Sequence, residues 1–368
     1  KAVRHCLARH EGRGGWRFSP SAAHITAQGG AGNNWACGYW GLSSEAASDV
    51  VDSVRWELER CSYRTGILMS QSAAGGTGSG LGARICEEVT EAFPDVALMN
   101  ALVAPYEVGE VVVKDYNACL SLSHLLVSSG GVVIMKNSDV NSIATSMLRI
   151  EQPSFTELND VIAMHLAPSL LATSPSSPRS TSGVDGLLRH LCPHPGYKLL
   201  EARIAPQVPQ RSVAFTSESW SALLKRLLQM QLSSSAVESR VNWQDRPGAP
   251  GTKAVATAVS VLGEGTPSAL DSTEARAFQD SQLYCSWAPD PVLYQATNMS
   301  FNRYDKTAAL LMNSQTIVPT VDAMSARARN MLASRAYLHQ YCSFGLEEDD
   351  FVDALALLDQ TALNYSGL

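Results

Sequence analysis

The run Ala74-Gly75-Gly76-Thr77-Gly78-Ser79-Gly80 decides how this chain is read. An apolar stretch, Gly66-Ile67-Leu68-Met69, precedes it, and Leu81, Ile85, Val89 and Phe93 follow at four-residue intervals. That pattern predicts strand, glycine turn and helix, an order that builds an anion site. Glycines allow close backbone approach, Thr77 and Ser79 add hydroxyl donors, and a helix start offers free N–H groups and a positive dipole end. A flexible glycine turn has the same composition and stands as the plain alternative. Two commoner phosphate motifs fit poorly. The P-loop needs Gly-Lys-Ser/Thr, and the chain contains no Gly-Lys pair. Gly78-Ser-Gly80-Leu-Gly82-Ala83 approximates a dinucleotide fingerprint, but that fold wants an acidic residue at the end of the next strand. The next apolar run, Val96-Ala97-Leu98-Met99-Asn100, ends without one.

Outward from this loop, strand and helix patterns alternate. A helix is expected over about Ser44–Glu59, with Val50, Val51, Val54 and Leu58 on one stripe, and another from about Tyr116 with Leu120, Leu125 and Leu126. Val132-Val133-Ile134-Met135 reads as a strand, followed by a helix through Ile143, Met147 and Ile150. The alternation predicts an α/β fold with a parallel sheet covered on both faces. Pro153 opens a long helix pattern with Phe155, Leu158, Ile162 and Leu166. Thr173–Gly183 is rich in Ser and Pro and reads as a mobile loop, and Gln244–Gly251 as a second loop. Beyond them, Lys198–Ile204, Ala254–Leu262 and Ala308–Met312 are strand-like and Trp220–Leu232 is helical. The chain is expected to end in two helices, about Val321–Tyr341 and Glu347–Leu363.

A length of 368 residues predicts two domains. The net charge of −7 leaves too few Lys and Arg for a broad basic face, so no nucleic-acid partner is expected. No apolar run reaches the length of a bilayer span, which predicts a soluble chain with no membrane partner. Eight scattered cysteines without Cys-x-x-Cys fit a reducing compartment, with the thiols acting as small hydrophobes. His190-Leu-Cys192-Pro-His194 sets donors at short spacing, but its prolines disrupt a helical presentation and no second cluster exists; no metal site is expected.

Three further features could read a nucleotide. Phe155 and Asn159 are four apart on one helix face, where a ring can stack on a base beside an amide that donates and accepts. The plain alternative is a core ring beside a surface amide. Asn137 follows a strand at its carboxyl end, where α/β sheets bind ligands. Gly30-Ala31-Gly32-Asn33-Asn34 precedes a helix and can supply backbone donors, or serve only as an Asn-rich turn and cap.

Together these stretches resemble the tubulin superfamily. Ala74–Gly80 resembles its signature loop on the phosphates of GTP, Gly32-Asn-Asn-Trp-Ala-Cys-Gly-Tyr39 the loop facing the terminal phosphates, and Val108–Asn117 the loop bordering the ribose. Asn137, Phe155 and Asn159 fall where the family places a guanine-reading amide, a stacking aromatic and a second amide. Leu191-Cys-Pro-His-Pro195, Ser334–Tyr341 and Gly345–Phe351 resemble later family segments in the same order. Asn-Asn-Trp-Ala, Gly-Glu-Val-Val-Val, Pro-His-Pro, Leu223–Met230 and Leu283-Tyr-Cys-Ser-Trp287 look like the delta branch.

The resemblance implies a tubulin-type, Rossmann-like GTP-binding domain over 1–152, a core helix and loop over 153–183, an intermediate α/β domain over 184–318 and a C-terminal helical pair over 319–368. It implies GTP, with Mg, as ligand, with Gly32, Asn33, Ala74, Gly75, Gly76, Thr77, Gly78, Ser79 and Gly80 on the phosphates. It also implies other tubulin subunits or microtubules as partners, in the cytoplasm and cytoskeleton. The delta branch adds centrioles, basal bodies and cilium assembly. A free GTPase or switch outside any lattice is the rival expectation, and a non-hydrolysing nucleotide-binding scaffold is the third. The family's first strand and Gln-rich phosphate loop would precede Lys1, so an N-terminally truncated chain is expected. Lys114 stands where alpha and beta chains carry a ribose-binding carboxylate, and a lysine cannot accept from sugar hydroxyls. The segment that orients water on a neighbouring subunit's nucleotide is Val184-Asp185-Gly186-Leu187 here, with Asp185 one residue early. Asp185 is the catalytic candidate; an Asp-Gly turn or cap is the plain alternative.

Overall fold

The computed structural model describes residues 29–41, 43–62, 66–107, 111–172, 183–215, 218–249 and 251–368. The Thr173–Gly183 loop expected from composition therefore lies outside the described residues up to its last member.

Seven strands form one sheet: β1 (Ile67–Ser72), β2 (Leu98–Ala104), β3 (Gly131–Lys136), β4 (Leu199–Ala205), β5 (Ala254–Gly263), β6 (Val292–Thr297) and β7 (Lys306–Ser314). Their spatial order is β1-β2-β3-β4-β7-β5-β6. β1 to β4 run parallel, as do β5 and β6, while β7 is antiparallel to both its neighbours. The segments expected as two domains thus share one continuous sheet, joined by the short pairing of Val132 and Val133 with Leu199 and Leu200. Among the described residues β1 pairs only with β2.

The helices are α1 (Ser43–Arg60), α2 (Gly82–Ala92), α3 (Lys114–Ser128), α4 (Asn137–Ser142), α5 (Phe155–Leu171), α6 (Gly183–Leu191), α7 (Trp220–Leu232), α8 (Thr266–Leu270), α9 (Thr273–Ala277), α10 (Val318–Ala333), α11 (Leu338–Cys342) and α12 (Glu348–Ser366). Strand side chains alternate between faces, and the core divides accordingly. Leu98, Leu102, Val132 and Ile134 pack with α3, α10 and α12 through Leu122, Leu125, Val321 and Leu358. Met99, Val133 and Met135 pack on the opposite face with Ile162 of α5 and Leu187 and Leu191 of α6. β2 and β3 are therefore covered on both sides, whereas β1 alternates, with Ile67 and Met69 packed against one core and Leu68, Ser70 and Ser72 exposed.

Several boundaries differ from expectation. The second strand runs four residues further, to Ala104, and the third helix starts two earlier, at Lys114. β6 carried no clear pattern because it is half-buried along most of its length. The helix expected through Ile150 breaks after a π turn at Ile143–Met147. The C-terminal helix expected to run to Tyr341 stops at Ala333, where Arg335 and Tyr337 adopt φ of 50° and 58° before α11 begins.

Cys86 and Cys119 are packed in the interior and Cys192 is half-buried, and burial pushes each thiol up to about 12. They remain protonated fillers of the core.

Candidate nucleotide site

Parallel pairing lines up the carboxyl ends of the first three strands. Ser72 pairs with Val103, and Ala104 with Lys136, so the segments that follow leave from one sheet edge. The glycine loop leaves β1 there and Asn137 leaves β3 there. Open α/β sheets bind ligands at this edge.

The glycine loop closes into a π turn, Thr77–Leu81, that runs directly into α2. A second π turn, Cys37–Gly41, follows the Gly32–Asn34 segment. The two turns pack backbone against backbone. A β-carbon on Gly76 would lie 2.5 Å from the Asn34 carbonyl oxygen, and one on Gly38 would lie 2.2 Å from the Gly76 carbonyl oxygen. Only glycine permits that approach. Gly32 and Asn33 add left-handed φ values of 53° and 57°, which bend their segment sharply. The result is two loops in one cradle, with Gly32, Asn33 and Thr77 exposed and Gly76, Ser79 and Gly80 packed behind them.

Thr77 Oγ1 accepts from the Ala31 amide at 3.3 Å and ties the loops together, while Ser79 Oγ is turned inward and donates to the Gly75 carbonyl. The two hydroxyls expected to act alike therefore differ: Thr77 is exposed and Ser79 is fully buried. The first N–H groups of a helix have no acceptor within it, so the start at Thr77 provides an anion cradle of backbone donors. This donor set fits a polyphosphate.

Behind the second turn, Trp35 stacks on Tyr39 with centroids 4.6 Å apart, and the Tyr39 hydroxyl donates to Glu87 of α2. His124 of α3 bonds the other Glu87 oxygen. Burial raises the Glu87 pKa, but the hydrogen bonds from His124 and Tyr39 outweigh it and bring the carboxyl below its ordinary value.

Asn117 is the residue that sequence reasoning passed over. Fully buried in α3, it donates to the carbonyls of Asn33 at 2.8 Å and Ala74 at 2.9 Å, and accepts from the Trp35 amide at 3.1 Å. One side chain thus fastens both loops. It closes the stretch resembling the ribose loop, but no periodicity marks it out from its apolar neighbours.

Asn137 starts α4 half-buried. The preceding Lys136 places Nζ 3.1 Å from Asp139 and 4.0 Å from Glu201 of β4, so charge contacts brace both sides of Asn137. Burial disfavours the charged Glu201, but the Arg203 and Lys136 cations outweigh it and hold the carboxyl below its ordinary value. Phe155 opens α5 with 85% of its surface exposed, and Asn159 is exposed one turn later. A capping box of Ser154 and Glu157 fixes that helix start. A nearly bare aromatic ring next to an amide is suited to stacking on a base, and the core-ring alternative does not hold.

Lys114 is buried, with Nζ 3.1 Å from the Glu107 carbonyl and 3.7 Å from Asp115. Asp115 in turn pairs with Arg327 of α10 at 3.0 Å. Asp185 sits in the first turn of α6 rather than in a loop, and both its oxygens accept from Arg189 Nε at 3.0 and 2.9 Å. The neighbouring Gly186 is buried inside the same helix. His190 donates towards the Thr257 carbonyl at 3.1 Å, His194 accepts from the Gly196 amide, and the half-buried Cys192 accepts from Asn313 Nδ2 at 4.0 Å.

The profile of the Tubulin/FtsZ family, GTPase domain, matches residues 4–145. The mouse tubulin delta chain is 34% identical over 385 residues, covering 100% of this chain and 84% of the mouse protein. The human tubulin delta chain is 33% identical over 389 residues with the same coverage. The tubulin beta chain of Candida albicans is 26% identical over 345 residues, covering 93% of this chain and 74% of that protein.

Proposed function

The chain belongs to the tubulin family, and from that premise we propose that it is a delta-type subunit whose two facing loops hold the phosphates of GTP. Gly32, Asn33 and Ala74–Ser79 supply backbone donors and the Thr77 hydroxyl, while Gly80, whose amide donates to the Gly76 carbonyl, closes the turn behind them. Asn137 and Asn159 read the guanine edge, and Phe155 stacks on the base. Mg accompanies the phosphates and offsets their charge. The observation that carries this reading is the backbone packing of the Asn34 and Gly76 segments, which makes one anion cradle from two distant parts of the chain.

Within the family, we propose that the subunit joins other tubulins in the triplet microtubules of centrioles and basal bodies and acts in cilium assembly. The 1–152 and 184–318 segments serve as GTP-binding and intermediate domains, with the C-terminal helices laid over the first. Support for the branch is the whole-chain similarity to mammalian delta chains. Nucleotide turnover by the purified full chain, alone and with alpha/beta tubulin, tests the assignment. Turnover that rises only with assembly fits a lattice subunit. Equal turnover in both conditions favours a free GTPase or switch.

A further inference from the structure

We infer that Asn117 and Tyr341 are positioning residues for the phosphate-facing loops, so that α11 helps to set how tightly nucleotide is held. This rests on the nucleotide reading of those loops.

The Tyr341 hydroxyl donates to Asn117 Oδ1 at 2.7 Å across 224 residues of sequence. With its two bonds to carbonyls and the Trp35 amide, Asn117 then makes four hydrogen bonds, two as donor and two as acceptor. That satisfies the whole capacity of a carboxamide. A second link runs beside it: Asn34 Nδ2 donates to the Gln340 carbonyl at 2.9 Å, while Asn34 Oδ1 accepts from the Cys37 amide at 3.1 Å. Two consecutive residues of α11 thus reach two residues that shape the loops.

The Tyr341 ring has nowhere to move. It is fully buried, with Tyr116 edge-on at 5.6 Å and Phe351 of α12 at 5.4 Å. Burial raises the phenol pKa, so the hydroxyl is a donor at any working pH. The left-handed Tyr337 sets the angle at which α11 enters. Displacement of α11 would remove an acceptor's partner from Asn117 and a backbone anchor from Asn34 together. A buried polar group left short of one bond loosens its other contacts or stays unpaired at a cost.

Tyr341→Phe in the full-length chain tests this, because it removes one hydroxyl and leaves the packing ring. The control is Tyr365→Phe, which removes a buried hydroxyl bonded instead to Asn313 and Leu199. Amide hydrogen exchange is read in nucleotide-free protein, and GTP release with a fluorescent GTP analogue. Tyr341→Phe is expected to speed exchange in residues 33–38 and 74–80 by about tenfold and nucleotide release by about fivefold, with exchange across β5–β7 unchanged. Tyr365→Phe is expected to leave those loops and the release rate unchanged. Unaltered loop exchange in Tyr341→Phe, or a rise spread evenly over the whole chain, would overturn the inference. Faster loop exchange in a chain that binds no GTP would uphold the link to the loops and remove the nucleotide reading, so the two failures are separable.

Discussion

Gly80 lies so close against Trp35 that a β-carbon on it would sit 2.0 Å from the Trp35 carbonyl oxygen. The contact is with backbone, so no rotamer change relieves it. Gly80→Ala must therefore push the two π turns apart, at roughly the 1–3 kcal/mol that overpacking costs. Thermal unfolding is expected to show that loss, with GTP affinity falling at the same time. Unchanged melting and binding would mean that the turns are not held in contact in solution.

The base-reading group behaves oppositely, because Phe155 and Asn159 are exposed and carry little of the fold. Phe155→Ala is expected to weaken GTP binding by roughly 1–3 kcal/mol, the range for base–aromatic stacking. Phe155→Tyr should bind as before. Asn159→Ala should cost about 1–3 kcal/mol and reduce the preference for GTP over ATP. Neither change is expected to lower the melting temperature measurably. Equal ATP and GTP affinity in the parent chain would remove the guanine assignment.

Acid sensitivity should trace in part to His165. Burial lowers its pKa from 6.5 to about 4, assisted by the Arg203 cation, while its Nδ1 donates to the Val161 carbonyl. The unfolded chain then binds a proton between pH 6.5 and 4 that the folded chain refuses, so stability falls as pH falls through that window. The full effect is about 3 kcal/mol by the usual conversion of pKa to free energy. His190 is shifted down by burial as well and adds to the same limb. His165→Leu should flatten the fall without abolishing it, as read by denaturant unfolding at a series of pH values. An unchanged slope would show that His165 is not buried neutral.

Much of this architecture is visible in the residues, for a physical reason. β3 is a nearly continuous apolar run because both its faces are covered, β2 is equally buried but interrupted by Asn100, and the glycines around Thr77 announce close backbone contact. What escaped were features that depend on distant partners or on weak patterns. β6 is half-buried and carries no clear alternation. The break before α11 falls at Arg335 and Tyr337, residue types that rarely take positive φ and give no signal of a turn. Ser79 reads like Thr77 in the loop, yet the turn into α2 aims its hydroxyl inward. Asn117 looks like any polar residue in a helix, and its bonds to Asn33, Ala74 and Tyr341 exist only once those segments meet.

Asp185 carries the last prediction, because its local role and its proposed distant role are separable. Within the chain it pairs with Arg189 one helical turn away, and the pair is exposed on the Arg189 side. A solvent-screened pair of this kind contributes little to stability, so Asp185→Ala should leave folding and GTP affinity almost unchanged. If Asp185 orients water on a neighbouring subunit's nucleotide, the same substitution should lower assembly-dependent turnover by about 10²-fold or more. Arg189→Ala distinguishes this from damage to α6: it breaks the same ion pair but leaves the carboxylate free. Turnover should then persist in Arg189→Ala and collapse in Asp185→Ala. Equal losses in the two variants would assign the effect to the helix. Retention of turnover in Asp185→Ala would leave the carboxylate as a first-turn residue of α6 and nothing more.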